Sequence, residues 1–196
     1  MPRPPRVQAA DAIYHITGRG NSGRPIFRDD RDREVFLLLL SLLIERYGWQ
    51  CYGYCLMTTH YHLLVMTPKP DLARGMQWLN GVYAQMFNRR HAHGGHVFRG
   101  RYNSTLVERE GHLVELHRYI SLNPVRAGIC RSAREYRWSS YRATIRLEPT
   151  PSFLTIEPIL ELFAGSKATA RKRLVAFVEG RNPQVTSTGS DPLEGG

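Results

Sequence analysis

Two histidines stand one residue apart at His60 and His62, and a phenol and a carboxamide stand four apart at Tyr119 and Asn123. Residues i and i+2 of a strand share a face, so a strand over 60–62 presents two imidazoles side by side. Residues i and i+4 of a helix are surface neighbours, so a helix over 119–123 pairs the phenol with the amide. Two imidazoles and a carboxamide oxygen can hold a divalent ion, which can polarise a phosphodiester. A phenol beside that ion can attack phosphorus and form a covalent phosphotyrosine. Its ordinary pKa of about 10 means that nearby positive charge must assist it at neutral pH. The spacing equally allows a plainer reading, with a partly exposed histidine pair, a packing tyrosine and an asparagine capping a helix end.

Elements able to position these groups can be read along the chain. Residues 51–66 are aromatic, β-branched and apolar, with a polar break at Thr58-Thr59. This predicts two buried strands joined by a tight turn, the histidines opening the second. An earlier strand is predicted over 12–17. A glycine-rich loop follows over 18–25; it carries Arg19 and Arg24 but lacks the spacing of a phosphate-cradling P-loop. Asp29 or Asp30 caps a long apolar helix that Gly48 ends, and Asp71 caps a second that runs into Arg89-Arg90-His91. Residues 97–107 alternate enough for a fourth strand, with Arg99 and Arg101 on one side. A third helix over 110–122 has Leu113, Leu116 and Ile120 as its buried stripe and Tyr119 and Asn123 on one flank. Pro124 should end it at Asn123.

The order strand, helix, strand, strand, helix, strand, then helix predicts an α+β fold: a ferredoxin-like, split βαβ palm whose antiparallel sheet is backed by helices on one face. The organisation expected is a basic arm over 1–11, the palm domain over 12–130, a small helical extension over 131–180 and a disordered tail over 181–196. In the extension, residues 134–141 (REYRWSSY) either stack on bases or cover the core, covering being favoured, and 155–163 and 167–179 form short helices.

Lysine and arginine outnumber acids 27 to 17, for a net charge of +10 in 196 residues, and nearly all the positive charge is arginine. Arginine grips phosphate in a fork and stacks on bases, which favours a nucleic-acid partner. Three cysteines without metal-binding spacing fit a reducing cytoplasm. The first eight residues lack the apolar core of a signal peptide, and the apolar run over 35–44 is too short to span a bilayer. The HxT at His15-Ile16-Thr17 has no second copy to make a histidine phosphoesterase. His91, His93 and His96 could be arranged as a zinc site, but such a cluster in a glycine loop is more often solvated.

Several blocks together closely resemble the REP-associated tyrosine transposases, single-tyrosine members of the HUH endonuclease superfamily. They include YHITGRGN over 14–21, CLMTTHYHLLV over 55–65, FRGRY over 98–102, RYISLNPVRAG over 118–128 and WSSYR over 138–142. The resemblance implies a metal-dependent single-stranded DNA endonuclease and strand transferase acting on short hairpins of repeated palindromic DNA. It makes Tyr119 the nucleophile that takes a 5′-phosphate, and His60, His62 and Asn123 the ligands of Mg²⁺ or Mn²⁺. Arg3, Arg6, Arg19, Arg24, Arg99, Arg101 and Arg126 are candidate DNA contacts, on charge. The protein is expected in the cytoplasm, with the nucleoid, as a monomer or homodimer. The family usually has asparagine before the first histidine; Thr59 stands there and is expected to shape the turn, with a modest effect. The alternative is a domesticated protein that binds structured DNA or RNA without cleaving it.

Overall fold

The computed structural model describes residues 8–108 and 110–180. Arg3 and Arg6 of the basic arm, and the expected tail over 181–196, lie outside the described residues. The elements run β1 (Ala12–Arg19), α1 (Asp30–Tyr47), β2 (Gln50–Leu56), β3 (His60–Thr67), α2 (Leu72–His91), β4 (Asn103–Leu106), α3 (Glu110–Arg126), and short helices α4 (Tyr141–Thr144) and α5 (Glu157–Glu161) before α6 (Lys167–Glu179). The sheet order is β2-β3-β1-β4, every neighbouring pair antiparallel. That is the split βαβ palm read from the sequence.

Register divides the work of the two central strands. Tyr14, Ile16 and Gly18 face the same way as their partners Val65, Leu63 and Tyr61. On that face Tyr61 packs its ring 4.9 Å from Phe36 of α1 and donates its hydroxyl proton to Asn80 Oδ1 of α2 (2.9 Å). Gly18 is required there, because a Cβ at that position would meet the Tyr61 ring at 2.5 Å. The opposite face carries His15, Thr17 and Arg19, paired with Leu64, His62 and His60.

Local chemistry sets the helix ends. Asp29 accepts the Asp32 N–H (3.1 Å) and starts α1, and Gly48, at φ 67°, ends it. Asp71 stands at the N-cap of α2, as expected, but makes no side-chain cap bond; its carboxylate accepts the Trp49 indole N–H instead (2.8 Å).

Three expectations are corrected. The fourth strand is only Asn103–Leu106, and residues 97–102 touch the sheet through a single Gly20–Phe98 bridge. Alternation in the sequence read longer than the pairing because Gly100 and an unpaired turn interrupt it. The helices do not all lie on one face: α1 and α2 back the Tyr61 side, whereas α3 reaches His15 and His62 on the other. Finally, α3 runs through Pro124 to Arg126. The proline forfeits one bond, to the Ile120 carbonyl, a loss of about 3 kcal/mol in a helix interior. The ring is buried, and the turn continues through Ala127 N–H to Asn123 O (3.0 Å) and Ile129 N–H to Pro124 O (2.9 Å).

The REYRWSSY stretch covers. Leu56 N–H donates to Trp138 O, Ser140 N–H to Tyr54 O, and the Tyr136 hydroxyl to Leu56 O, so the open edge of β2 is capped. Beyond it α6 buries Ala170, Leu174 and Val178, and Phe177 receives the Arg118 guanidinium of α3 (5.5 Å to the ring centre). This cover buries His117, Ser121 and Leu122 of α3, a wider arc than the stripe of Leu113, Leu116 and Ile120.

Candidate active site

The Thr58–Thr59 turn is held from outside the hairpin. Gly20 N–H donates to Thr59 O (2.8 Å), and the Ile26 and Phe27 N–H groups donate to Thr58 O. This fixes where β3 begins, with His60 half-buried at the rim and His62 buried.

Each imidazole has its Nδ1 engaged. His62 Nδ1 lies 3.0 Å from Nε2 of His15, a buried residue diagonal to it on β1, and the two rings stack at 5.3 Å and 8°. His60 Nδ1 lies 3.1 Å from Thr59 Oγ1. The two Nε2 atoms are placed differently. His62 Nε2 is buried without a hydrogen-bond partner, and His60 Nε2 lies 3.2 Å from Asn123 Oδ1. Burial, with the charges of His15, His60 and Arg19, holds the His62 pKa well below its ordinary value. His62 is therefore neutral at physiological pH, the form that ligates metals.

From α3, half-buried Tyr119 sets its ring edge-on to His62 (5.6 Å between ring centres, 85°) and to His15 (6.0 Å, 78°). Asn123 follows one turn on, inside the helix rather than capping its end. The Arg126 guanidinium lies over the Tyr119 ring at 4.9 Å.

The donor set fits a hard divalent ion. A buried nitrogen left unpartnered costs about 1–3 kcal/mol, which an ion at His62 Nε2 would recover. Adjacent ligands about 2.1 Å from an octahedral ion lie about 3 Å apart, close to the separation of His60 Nε2 and Asn123 Oδ1. Among the described residues, no group of three or more His, Cys, Asp or Glu side chains is disposed as a metal site. The zinc arrangement of His91, His93 and His96 is not found: His91 Nε2 lies 2.9 Å from Asp32 instead.

Of the candidate DNA contacts, Arg19 stands opposite His60 in register and Arg126 covers Tyr119, so both border the site. Arg24 lines a pocket beside the 20–27 loop, Arg99 is tied by its backbone N–H to Arg19 O (2.9 Å), and Arg101 is exposed. His15 was missed as a site residue. Its signal was present in the YHIT block, but its partner depends on the β1–β3 register. Thr59 does more than shape the turn, since it contacts the imidazole next to it.

The sequence profile for "Transposase IS200 like" proteins matches residues 8–123, more than half of the chain. Among solved structures, the fold is similar to that of a REP-associated tyrosine transposase bound to a REP hairpin, at 12% identity and a TM-score of 0.60, over 85% of this chain and 93% of that one. A putative transposase from Deinococcus radiodurans R1 is also similar, at 18% identity and a TM-score of 0.44, over 60% of this chain and 95% of that one. No curated protein sequence matches. No helix among the described residues is long and apolar enough to cross a membrane.

Proposed function

The chain belongs to the IS200-like transposase family, and from that premise we propose that it cuts and rejoins single-stranded, hairpin-forming DNA with Tyr119 as nucleophile. The observation that carries this reading is convergence: Tyr119, His60, His62, Asn123 and Arg126 meet at one place, all from one chain.

Tyr119 Oη attacks a backbone phosphorus as the P–O3′ bond breaks. The strand leaves a 3′-hydroxyl and a 5′-phosphate on the tyrosine; the phenolic proton is lost and the departing 3′-oxygen gains one. Attack by that or another 3′-hydroxyl reverses the step and joins strands without a separate energy source. His60, His62 and Asn123 would hold Mg²⁺ or Mn²⁺, which supplies charge to the phosphate oxygens. His15 and Thr59 orient the two imidazoles through Nδ1. Arg126 keeps positive charge beside the phenol as negative charge develops, and holds its ring in place. Arg19 adds charge at the rim for the incoming backbone.

The test is a labelled REP-like hairpin oligonucleotide incubated with Mn²⁺. A covalent adduct that survives denaturation is expected from the native protein and absent from Tyr119→Phe. DNA binding with no adduct from the native protein would favour the non-cleaving alternative. An equal adduct from Tyr119→Phe would sink the nucleophile assignment.

A further inference from the structure

A separate cationic site lies where the 20–27 loop meets the end of α2 and the loop after it. Between the 20–27 loop and residues 93–97 is a cavity of about 260 Å³, lined by Arg24, Arg28, Phe87, His93 and His96 among others. Most arginines around the start of α1 have acidic partners: Arg31 has Glu34, Arg33 and Arg137 have Asp30, and Arg90 has Asp29 and Asp32. Arg24 and Arg28 have none among the described residues. The acids at the start of α1 are already committed, and Asp32 also accepts the Arg28 backbone N–H (2.8 Å). Arg90 holds the Asp29 carboxyl down at about 2, and Asp32 is shared between Arg90 and His91. The net field in the cavity is therefore positive, from two guanidiniums with free donors.

The cavity also has a floor and a fixed position. The Arg28 guanidinium lies 5.3 Å from the centre of the buried Phe87 ring, and His93 meets that ring edge-on. The loop that supplies Arg24 and Arg28 donates the bonds gripping the turn just before His60, and Asn21 N–H donates to Val97 O on the opposite wall. The volume lies below the 300 Å³ or more of typical small-molecule sites, so it suits one phosphodiester with its sugar rather than a cofactor.

We infer that this pocket holds a backbone phosphate of the substrate DNA strand, on the loop whose N–H groups also grip the turn before His60. The inference rests on the transposase reading, because it takes single-stranded DNA as the ligand.

Fluorescence anisotropy with a labelled single-stranded DNA of about twenty nucleotides, over a range of salt concentrations, tests it. Arg24→Ala and Arg28→Ala should each weaken binding about tenfold at low salt and between them reduce the slope of log K against log salt by about 0.7, the contribution of one phosphate. Lys172→Ala, an exposed charge on α6, should change neither. Arg24→Lys and Arg28→Lys keep the charge and should keep the slope, which guards against misfolding as the cause of a loss. An unchanged slope in both alanine variants, or an equal loss in Lys172→Ala, overturns the pocket. The covalent adduct at Tyr119 reports separately. Native protein that binds the strand through these arginines but forms no adduct leaves the pocket standing and removes the cleavage reading. Native protein that does not bind the strand removes both.

Discussion

Replacing His15 by phenylalanine isolates what the imidazole beyond the ligands contributes. A flat aromatic ring able to stack on His62 (5.3 Å, 8°) is kept, while the contact between His15 Nε2 and His62 Nδ1 at 3.0 Å is lost. Both rings are buried, so water cannot replace it. His62 is left with two poor choices. It can keep its proton on Nδ1, unpaired, at about 1–3 kcal/mol. Or it can move the proton to Nε2, which removes the lone pair a metal needs. The first cost weakens the fold with or without the ion; the second falls on metal binding. Losing the partner that orients a metal-bound histidine typically weakens a site about 10- to 100-fold, or about 1.4–2.7 kcal/mol.

The assay is calorimetric titration with Mn²⁺, paired with chemical denaturation at fixed Mn²⁺. At 100 times the native Kd, the ion should stabilise the native protein by about 2.7 kcal/mol and a tenfold weaker variant by about 1.4 kcal/mol. His15→Gln, whose carboxamide oxygen can accept the Nδ1 proton, should recover part of the difference. Native affinity in His15→Phe, with none in His62→Ala, would refute the orienting role. Native affinity in His62→Ala would refute the metal assignment itself.

Three further outcomes are expected. Thr59→Val removes the oxygen beside His60 Nδ1 and should weaken Mn²⁺ binding about tenfold, whereas Thr59→Asn, which restores an acceptor, should bind as the native protein does; the same titration checks both. Gly18→Ala drives a Cβ into the Tyr61 ring and should destabilise the fold by about 1–3 kcal/mol in urea denaturation. His117 is buried with both ring nitrogens unpartnered, and burial lowers its pKa from 6.5 to about 4. The unfolded chain then binds the extra proton first, so stability is lost as pH falls from about 6.5 towards 4, by about 3 kcal/mol in all. His117→Leu should flatten that part of the stability–pH curve, and an unchanged curve would count against the burial argument.

What the sequence disclosed, and what it hid, follows from the range of the interactions. Local signals were readable: alternation marked the strand pair over 51–66, and Asp29 and Gly48 marked the ends of α1. The amphipathic stripe of α3 gave the flank carrying Tyr119 and Asn123. Where a local rule met tertiary packing, packing won. Pro124 sits inside α3 because burial of its ring and the following turn offset one lost bond, and Asp71 abandons its cap for the indole of Trp49. A covering role for 134–141 was legible, but its place along β2 was not, since irregular backbone around Ser139 and Leu154 bridges to Cys55 and Cys51 without any pattern of its own. The contacts of His15 and Arg126 were hidden for a related reason. Each meets a neighbour that only register or helix continuation identifies, whereas Thr59 contacts the residue next to it.

The middle residue of His60-Tyr61-His62 shows how the strand makes its histidines precise. Because the side-chain period of a strand is two, Tyr61 must point away from both imidazoles. It enters the most crowded part of the core, against Phe36, over the bare backbone of Gly18, with its hydroxyl tied to Asn80. A slip of β3 by one residue would turn Tyr61 towards α3 and bury both histidines among aromatic side chains, with Gly18 no longer opposite a ring. The register that the core enforces through one phenol is therefore the register that aims two nitrogens at Asn123 and Tyr119 on the other face. The site inherits its geometry from packing it does not touch.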